Sequence, residues 1–181
     1  MDILDEAIVY GRKAFHLCSP SHSNYATILD NLAVFVDGRF ELCHAMDDLE
    51  EVITLRREAI PFYPPGHSNR FVKLNNLALA LHSRFNALDE VEDLKNAVMY
   101  IREVLLSSPP ESDERQICLD NFGLIISNCF DNLGKMEDPK EIIKFYREYL
   151  LLCPPAVRAS FLTMFILIFK SMSRISRMLL L

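Results

Sequence analysis

The sequence predicts an all-α array of antiparallel helix pairs, on three observations. A unit of about 45 residues recurs, each unit carries two amphipathic helical stretches, and paired prolines close it. Residues 18–40 read CSPSHSNYATILDNLAVFVDGRF, residues 63–85 read YPPGHSNRFVKLNNLALALHSRF, and residues 108–130 read SPPESDERQICLDNFGLIISNCF. His22 and His67, Arg39 and Arg84, the series Asn31, Asn76 and Asn121, and the series Phe40, Phe85 and Phe130 all step by 45 positions. A fixed period of about 20–50 residues is the mark of a solenoid, in which each unit buries its apolar face against its neighbours.

In the central unit, Leu74, Leu77, Ala78, Leu81, Phe85 and Leu88 keep the i, i+3, i+4, i+7 spacing of one helical face. The equivalents are Leu29, Leu32, Ala33, Val36, Phe40 and Cys43 before it, and Leu119, Phe122, Gly123, Ile126, Phe130 and Leu133 after it. The small residue at Ala33, Ala78 and Gly123 allows a second helix to approach closely. That second helix is predicted from Leu49, Val52, Ile53, Ala59 and Ile60, and again from Leu94, Ala97, Val98, Ile101 and Leu105. Pro64–Pro65, Pro109–Pro110 and Pro154–Pro155 end it, because proline lacks an amide donor and disfavours helix in the residue before it. Ser68 or Asn69, and Ser112 or Asp113, are placed to cap the following helix.

The chain therefore reads as one array over 1–181. A half-repeat spans 2–18, repeats span about 23–64, 68–109 and 113–154, and a degenerate apolar helix spans 156–181. No alternation of polar and apolar residues bounded by turns predicts a strand.

Composition narrows the function. Half of the 181 residues are hydrophobic, enough to bury a sizeable core, and a net charge of -6 argues against a general nucleic-acid binder. Five cysteines form no C-x-x-C pair and no cleavable apolar segment follows Met1, so reduced thiols and a cytoplasmic location are expected. The stretch FLTMFILIFKSMSRISRMLLL, from Phe161, is apolar and basic, and its nine-residue apolar run is too short for a membrane span of about 20 residues. It is expected to pack as a fourth first helix and to leave an apolar face for a partner, a missing repeat or a membrane surface.

Leu74, Leu77, Ala78 and Leu81 on the first helix, answered by Ala97, Ile101, Val104 and Pro109 on the second, resemble the tetratricopeptide repeat. The gap from Ala78 to Ala97 exceeds that of the usual 34-residue unit. With REAI, PPGHSNR and LNNLALAL, the longer unit resembles the repeats of kinesin light chain, and particularly arrays in fungal proteins that often carry a CHAT protease-like domain. The resemblance covers residues 2–152. It implies a right-handed α-solenoid whose first helices line a concave groove. The histidine and cysteine motifs of a CHAT domain do not occur, so peptidase activity does not carry over.

By that resemblance the groove wall carries Asp30, Asn31, Val34, Asn75, Asn76, Leu79, His82, Asp120, Asn121 and Leu124, with Asp37, Ser127 and Asn128 nearby. Three aligned asparagines offer donors and acceptors to the main chain of an extended peptide; alternatively, each ties neighbouring helices together. The wall is polar to acidic and has no lysine clamp, which favours a peptide with basic and apolar side chains. His22 and His67 occupy equivalent turns and are expected to support them, and Arg39 and Arg84 are expected to pair between elements. No catalytic, metal or cofactor site is expected. The expected function is a non-enzymatic scaffold binding a protein or peptide partner, the alternative being the recognition fragment of a larger CHAT-type protease or signalling protein; self-association through terminal faces is a third reading.

Overall fold

The computed structural model describes residues 3–109, 111–131, 139–153, 155 and 158. Among them are seven α-helices and no strand: α1 (Ile3–Leu17), α2 (Tyr25–Cys43), α3 (Met46–Ala59), α4 (Arg70–Leu88), α5 (Val91–Ser107), α6 (Asp113–Asp131) and α7 (Pro139–Leu152). The side chains of Cys129 and Phe130, residue Leu133 and, but for Arg158, the helix expected over 156–181 lie outside the described residues.

Side-chain bonds show that consecutive helices from α1 to α5 run antiparallel. Arg39 near the end of α2 reaches Asp48 at the start of α3 through two bonds of 2.9 and 2.6 Å, while Tyr25 at the start of α2 donates to Glu58 at the end of α3. The next pair repeats this one period later. Arg84 on α4 makes two 2.6 Å bonds to Asp93 on α5, and Arg70 takes the place of Tyr25, bonding Glu103 at 2.6 Å. Arg39 also meets Asp5 of α1 at 3.4 Å, as Arg84 meets Glu50 of α3 at 2.5 Å. Position 5 is thus to α2 what position 50 is to α4, and α1 occupies the place of a second helix. Each arginine fork binds two carboxylates, a planar two-donor geometry that lysine could not supply.

The helix-to-helix turns repeat as well. His44 and Asp89 adopt left-handed φ values of 53° and 57°, and their amides close the preceding helix on the carbonyls of Phe40 and Phe85 at 2.7 and 2.8 Å. A residue in this region turns the chain within a two-residue link and satisfies a helix-end carbonyl. Cys43 and Leu88, expected on the apolar face, are the last residues of their helices and are exposed for that reason.

The core follows the spacing otherwise. Leu29, Leu32, Ala33 and Val36 on α2, Leu74, Leu77, Ala78, Leu81 and Phe85 on α4, and Leu94, Ala97, Val98, Ile101 and Leu105 on α5 are all buried. Gly11 of α1 sits so close to α2 that a Cβ there would lie 3.0 Å from Leu32 Cδ1. Proline acts slightly earlier than predicted. α3 ends at Ala59, and a 3₁₀ turn over Ile60–Phe62 containing Pro61 leads into the Pro64–Pro65 turn.

Helix entry differs from the expectation of a side-chain cap at Ser68 or Asn69. Asn69 stands at the N-cap without a side-chain bond; instead, His67 Nδ1 accepts the Asn69 amide at 3.1 Å, and His22 does the same for Asn24 at 3.1 Å. The imidazole reaches two residues ahead because the turn brings its own ring edge over that amide. At α6, which lacks the histidine, Ser112 Oγ does accept the Arg115 amide, at 3.2 Å.

The chain divides into two compact units, Met1–Val104 and Leu105–Leu181. In the second unit Arg115 of α6 donates to the carbonyls of Leu105 and Leu152, and Phe122 and Tyr149 pack edge to face at 5.3 Å. These contacts draw the last turn of α5 into the second unit.

Candidate functional site

α2 and α4 are both first helices, 45 residues apart, and α3 lies between them in sequence. Arg56 on α3 joins them: its Nη2 meets Asp37 of α2 at 2.5 Å, and its Nη1 donates to the main-chain carbonyl of Asn76 on α4 at 2.8 Å. A guanidinium this little exposed is stable because both ends of its fork find acceptors.

Above this bridge opens a cleft of about 450 Å³. Val34, Asp37, Phe40 and Glu41 of α2 line one side, and Asn76, Leu79 and Ser83 of α4 the other. Val34 is 60% exposed although it stands beside a buried core turn, so it presents a free apolar surface. Two carboxylates against one guanidinium leave the cleft with a net negative charge.

Beside it a small cavity of about 30 Å³, room for a water molecule, is lined by Asp30, Ala33, Val34, Arg56, Lys73 and Asn76. Asp30 accepts a hydrogen bond from the Tyr63 hydroxyl and an ion pair from Lys73 at 2.9 Å, and the Lys73 ammonium lies 5.1 Å from the Tyr63 ring centre. Burial, then the bond to Asp30, raises the Tyr63 phenol well above its ordinary range. Asp30 is therefore engaged in holding α2 to the following turn and helix.

The structure gathers four of the ten groove residues here: Asp30, Val34, Asn76 and Leu79 line the cleft or its side cavity. Asn31 is exposed on α2 and lines neither of these two spaces. Asn75 and His82 are buried, so neither presents its side chain to a groove ligand, although their equivalents one period earlier, Asp30 and Asp37, line the side cavity and the cleft. Burial pushes the His82 imidazole down to about 4, and Asn86 Nδ2 stands 3.3 Å from its Nε2. Asp120, Asn121 and Leu124 lie on α6 in the other compact unit; Asp120 accepts from Gln116 at 2.9 Å, and Leu124 is exposed.

Sequence reasoning passed over Arg56, Phe40 and Glu41 as cleft residues. Arg56 breaks the apolar pattern of α3 at a position facing both neighbours, a signal that could have marked it. The expectations for His22, His67, Arg39 and Arg84 match their turn and inter-helix bonds described above.

Among the described residues, no group of three or more His, Cys, Asp and Glu could hold a metal ion, and no helix is long and apolar enough to cross a membrane. Burial raises the Cys118 thiol to about 12, which keeps it protonated and un-nucleophilic. Comparison with known proteins gives no match: no family model, curated protein or solved structure matches the chain.

Proposed function

We propose that the chain is a non-enzymatic interaction module, a tetratricopeptide-like right-handed solenoid, whose α2–α4 cleft binds an extended peptide segment with basic and apolar side chains. The observation that carries this is the cleft itself: open, about 450 Å³, apolar at Val34, Phe40 and Leu79, and acidic at Asp37 and Glu41. That volume lies within the range of ligand-binding clefts, about 300–1,000 Å³, and its mixture of an apolar wall with a few polar groups is of the same kind. An apolar side chain of the ligand covers Val34 and Leu79, and a neighbouring lysine or arginine meets Glu41, since Asp37 is already held by Arg56. Asn76 and Ser83 supply amide and hydroxyl groups for the ligand main chain. The repeat period, the antiparallel pairs and the alternation of first and second helices support the solenoid assignment.

Selection of random peptides of about 12 residues on the intact chain, followed by calorimetric titration of the enriched sequences, tests the proposal. Peptides pairing a basic residue with an apolar one are expected. Leu79→Asp and Glu41→Lys should each weaken them at least tenfold, and Asn76→Ala several-fold to about tenfold, as a lost hydrogen bond of about 0.5–1.5 kcal/mol implies. Enriched peptides whose affinity survives all three substitutions would place the binding elsewhere.

A further inference from the structure

The α2–α4 cleft fixes a distance as well as a chemistry. On α2, Val34, Asp37 and Glu41 keep the i, i+3, i+7 spacing of one helical face, and all three line the cleft. Asp37 is taken by Arg56 at 2.5 Å, whereas among the described residues no cation pairs with Glu41. The free carboxylate therefore stands two helical turns beyond Val34, about 10 Å along the α2 axis. α2 and α4 run parallel, since each is antiparallel to α3, and Leu79, the equivalent of Val34 one period on, faces it across the cleft. One apolar notch and one unpaired acid are thus held about 10 Å apart. The half-buried Phe40 ring lines the cleft next to Glu41, and His44 meets that ring edge-on with centres 6.0 Å apart.

We propose that the ligand of this cleft is a polyproline II segment carrying an aliphatic side chain and an arginine three residues apart, which rests on the extended-peptide binding proposed above. An extended chain turns side chains to one side only at intervals set by its own period. In a β-strand they alternate at about 3.3 Å per residue, so neighbours on one side are about 6.6 or 13 Å apart, and neither interval matches. In polyproline II the period is three residues at about 3.1 Å each, so residues i and i+3 share a side about 9 Å apart. The small remainder is within reach of a long basic side chain. Polyproline II also needs no main-chain partner, which suits a cleft walled by helices whose own amides and carbonyls are paired within them. The basic residue is arginine because a planar guanidinium stacks on the Phe40 ring while its fork takes both oxygens of Glu41; an ammonium has neither plane nor fork.

The probes are synthetic peptides of about 12 residues, each with one leucine and one arginine in a serine background, spaced two, three, four or seven residues apart in both orders and titrated into the intact chain. In one of the two orders, spacing three is expected to bind about fivefold tighter than two or four. Prolines at the two intervening positions should tighten it further by preorganising the segment, and lysine in place of arginine should weaken it about threefold. Leu79→Asp should weaken it about tenfold or more, and Glu41→Lys, which alters an exposed side chain, should turn the preference from arginine to glutamate. Circular dichroism confirms that each variant remains folded. Peptides that respond to both substitutions but favour another spacing, or are weakened by the prolines, would overturn the polyproline II ligand and leave the cleft as the binding site; a preference for seven would identify a helical ligand. Equal affinity for lysine would overturn the choice of arginine. Failure of every peptide to bind, or affinity indifferent to both substitutions, would overturn the cleft reading itself, and this proposal with it.

Discussion

The α2–α4 cleft and the positions one period beyond it share a backbone and differ in chemistry, and they differ in matched groups. Asp37, Glu41 and Arg56 surround the cleft; their equivalents 45 residues on are His82, Asn86 and Ile101. An acid–base cluster has been exchanged for a neutral imidazole, an amide and an aliphatic side chain. His82 is buried and its proton affinity is lowered, so it stands uncharged beside Asn86, whereas Asp37 needs the Arg56 cation. The repeat thus preserves geometry while its charges change together, which keeps each site free of an unmatched buried ion.

Phenylalanines show the same division and give the largest expected effect. Phe85 is fully buried whereas its equivalent, Phe40, is half-buried and lines the cleft. Phe85→Ala should destabilise by about 3–5 kcal/mol, the usual cost of emptying a core aromatic site, and Phe40→Ala by less than half of that. Denaturant unfolding of both variants checks it; equal losses would break the comparison.

The histidine gives a pH effect of about 3 kcal/mol. Because folding lowers its pKa from 6.5 to about 4, the unfolded chain binds a proton that the folded chain refuses. This contribution is complete above pH 6.5 and is lost as pH falls toward 4. Stability measured from pH 7 to pH 4 should fall less steeply in His82→Gln than in the natural chain, and parallel curves would show that His82 is not held neutral.

Exchange of the matched groups is the sharper test. Arg56→Ile alone leaves Asp37 without its cation and the Asn76 carbonyl without its donor, and should destabilise by about 1–3 kcal/mol. Adding Asp37→His, which copies the arrangement one period on, should recover at least half of that loss in a double-mutant cycle. Strict additivity would mean that the two positions do not act as a pair.

Two glycines give the smallest effect. A Cβ on Gly38 would meet Leu4 at 3.9 Å, an ordinary contact, so Gly38→Ala should raise stability by about 0.5–1 kcal/mol through helix propensity. A Cβ on Gly11 would meet Leu32 at 3.0 Å, so Gly11→Ala should gain nothing, the same propensity being offset by crowding. Thermal melts separate the two.

The helices were legible because apolar spacing states directly which side of a helix is buried, as at Leu74, Leu77, Ala78 and Leu81. Spacing does not state which neighbour does the burying. Asn75 and Asn76 are adjacent in sequence, yet about 100° of helical rotation puts the first in the interior and the second on the cleft. The turns were half legible for a related reason. The recurrence of His22 and His67 marks a shared role, but only the backbone path shows that the ring, and not Ser68 or Asn69, takes the helix-entry amide. Arg56 went unread because a charged residue on an amphipathic helix ordinarily faces solvent, and here it reaches through to two neighbouring helices.

The most direct test of the account places a benzophenone photo-crosslinking residue at Val34 in the cleft and, in a separate variant, at Met99, an exposed position on α5. Each is irradiated with a selected basic and apolar peptide. The account predicts an adduct from position 34, competed away by unlabelled peptide, and none from position 99. Crosslinking from position 99 but not from position 34 would contradict it.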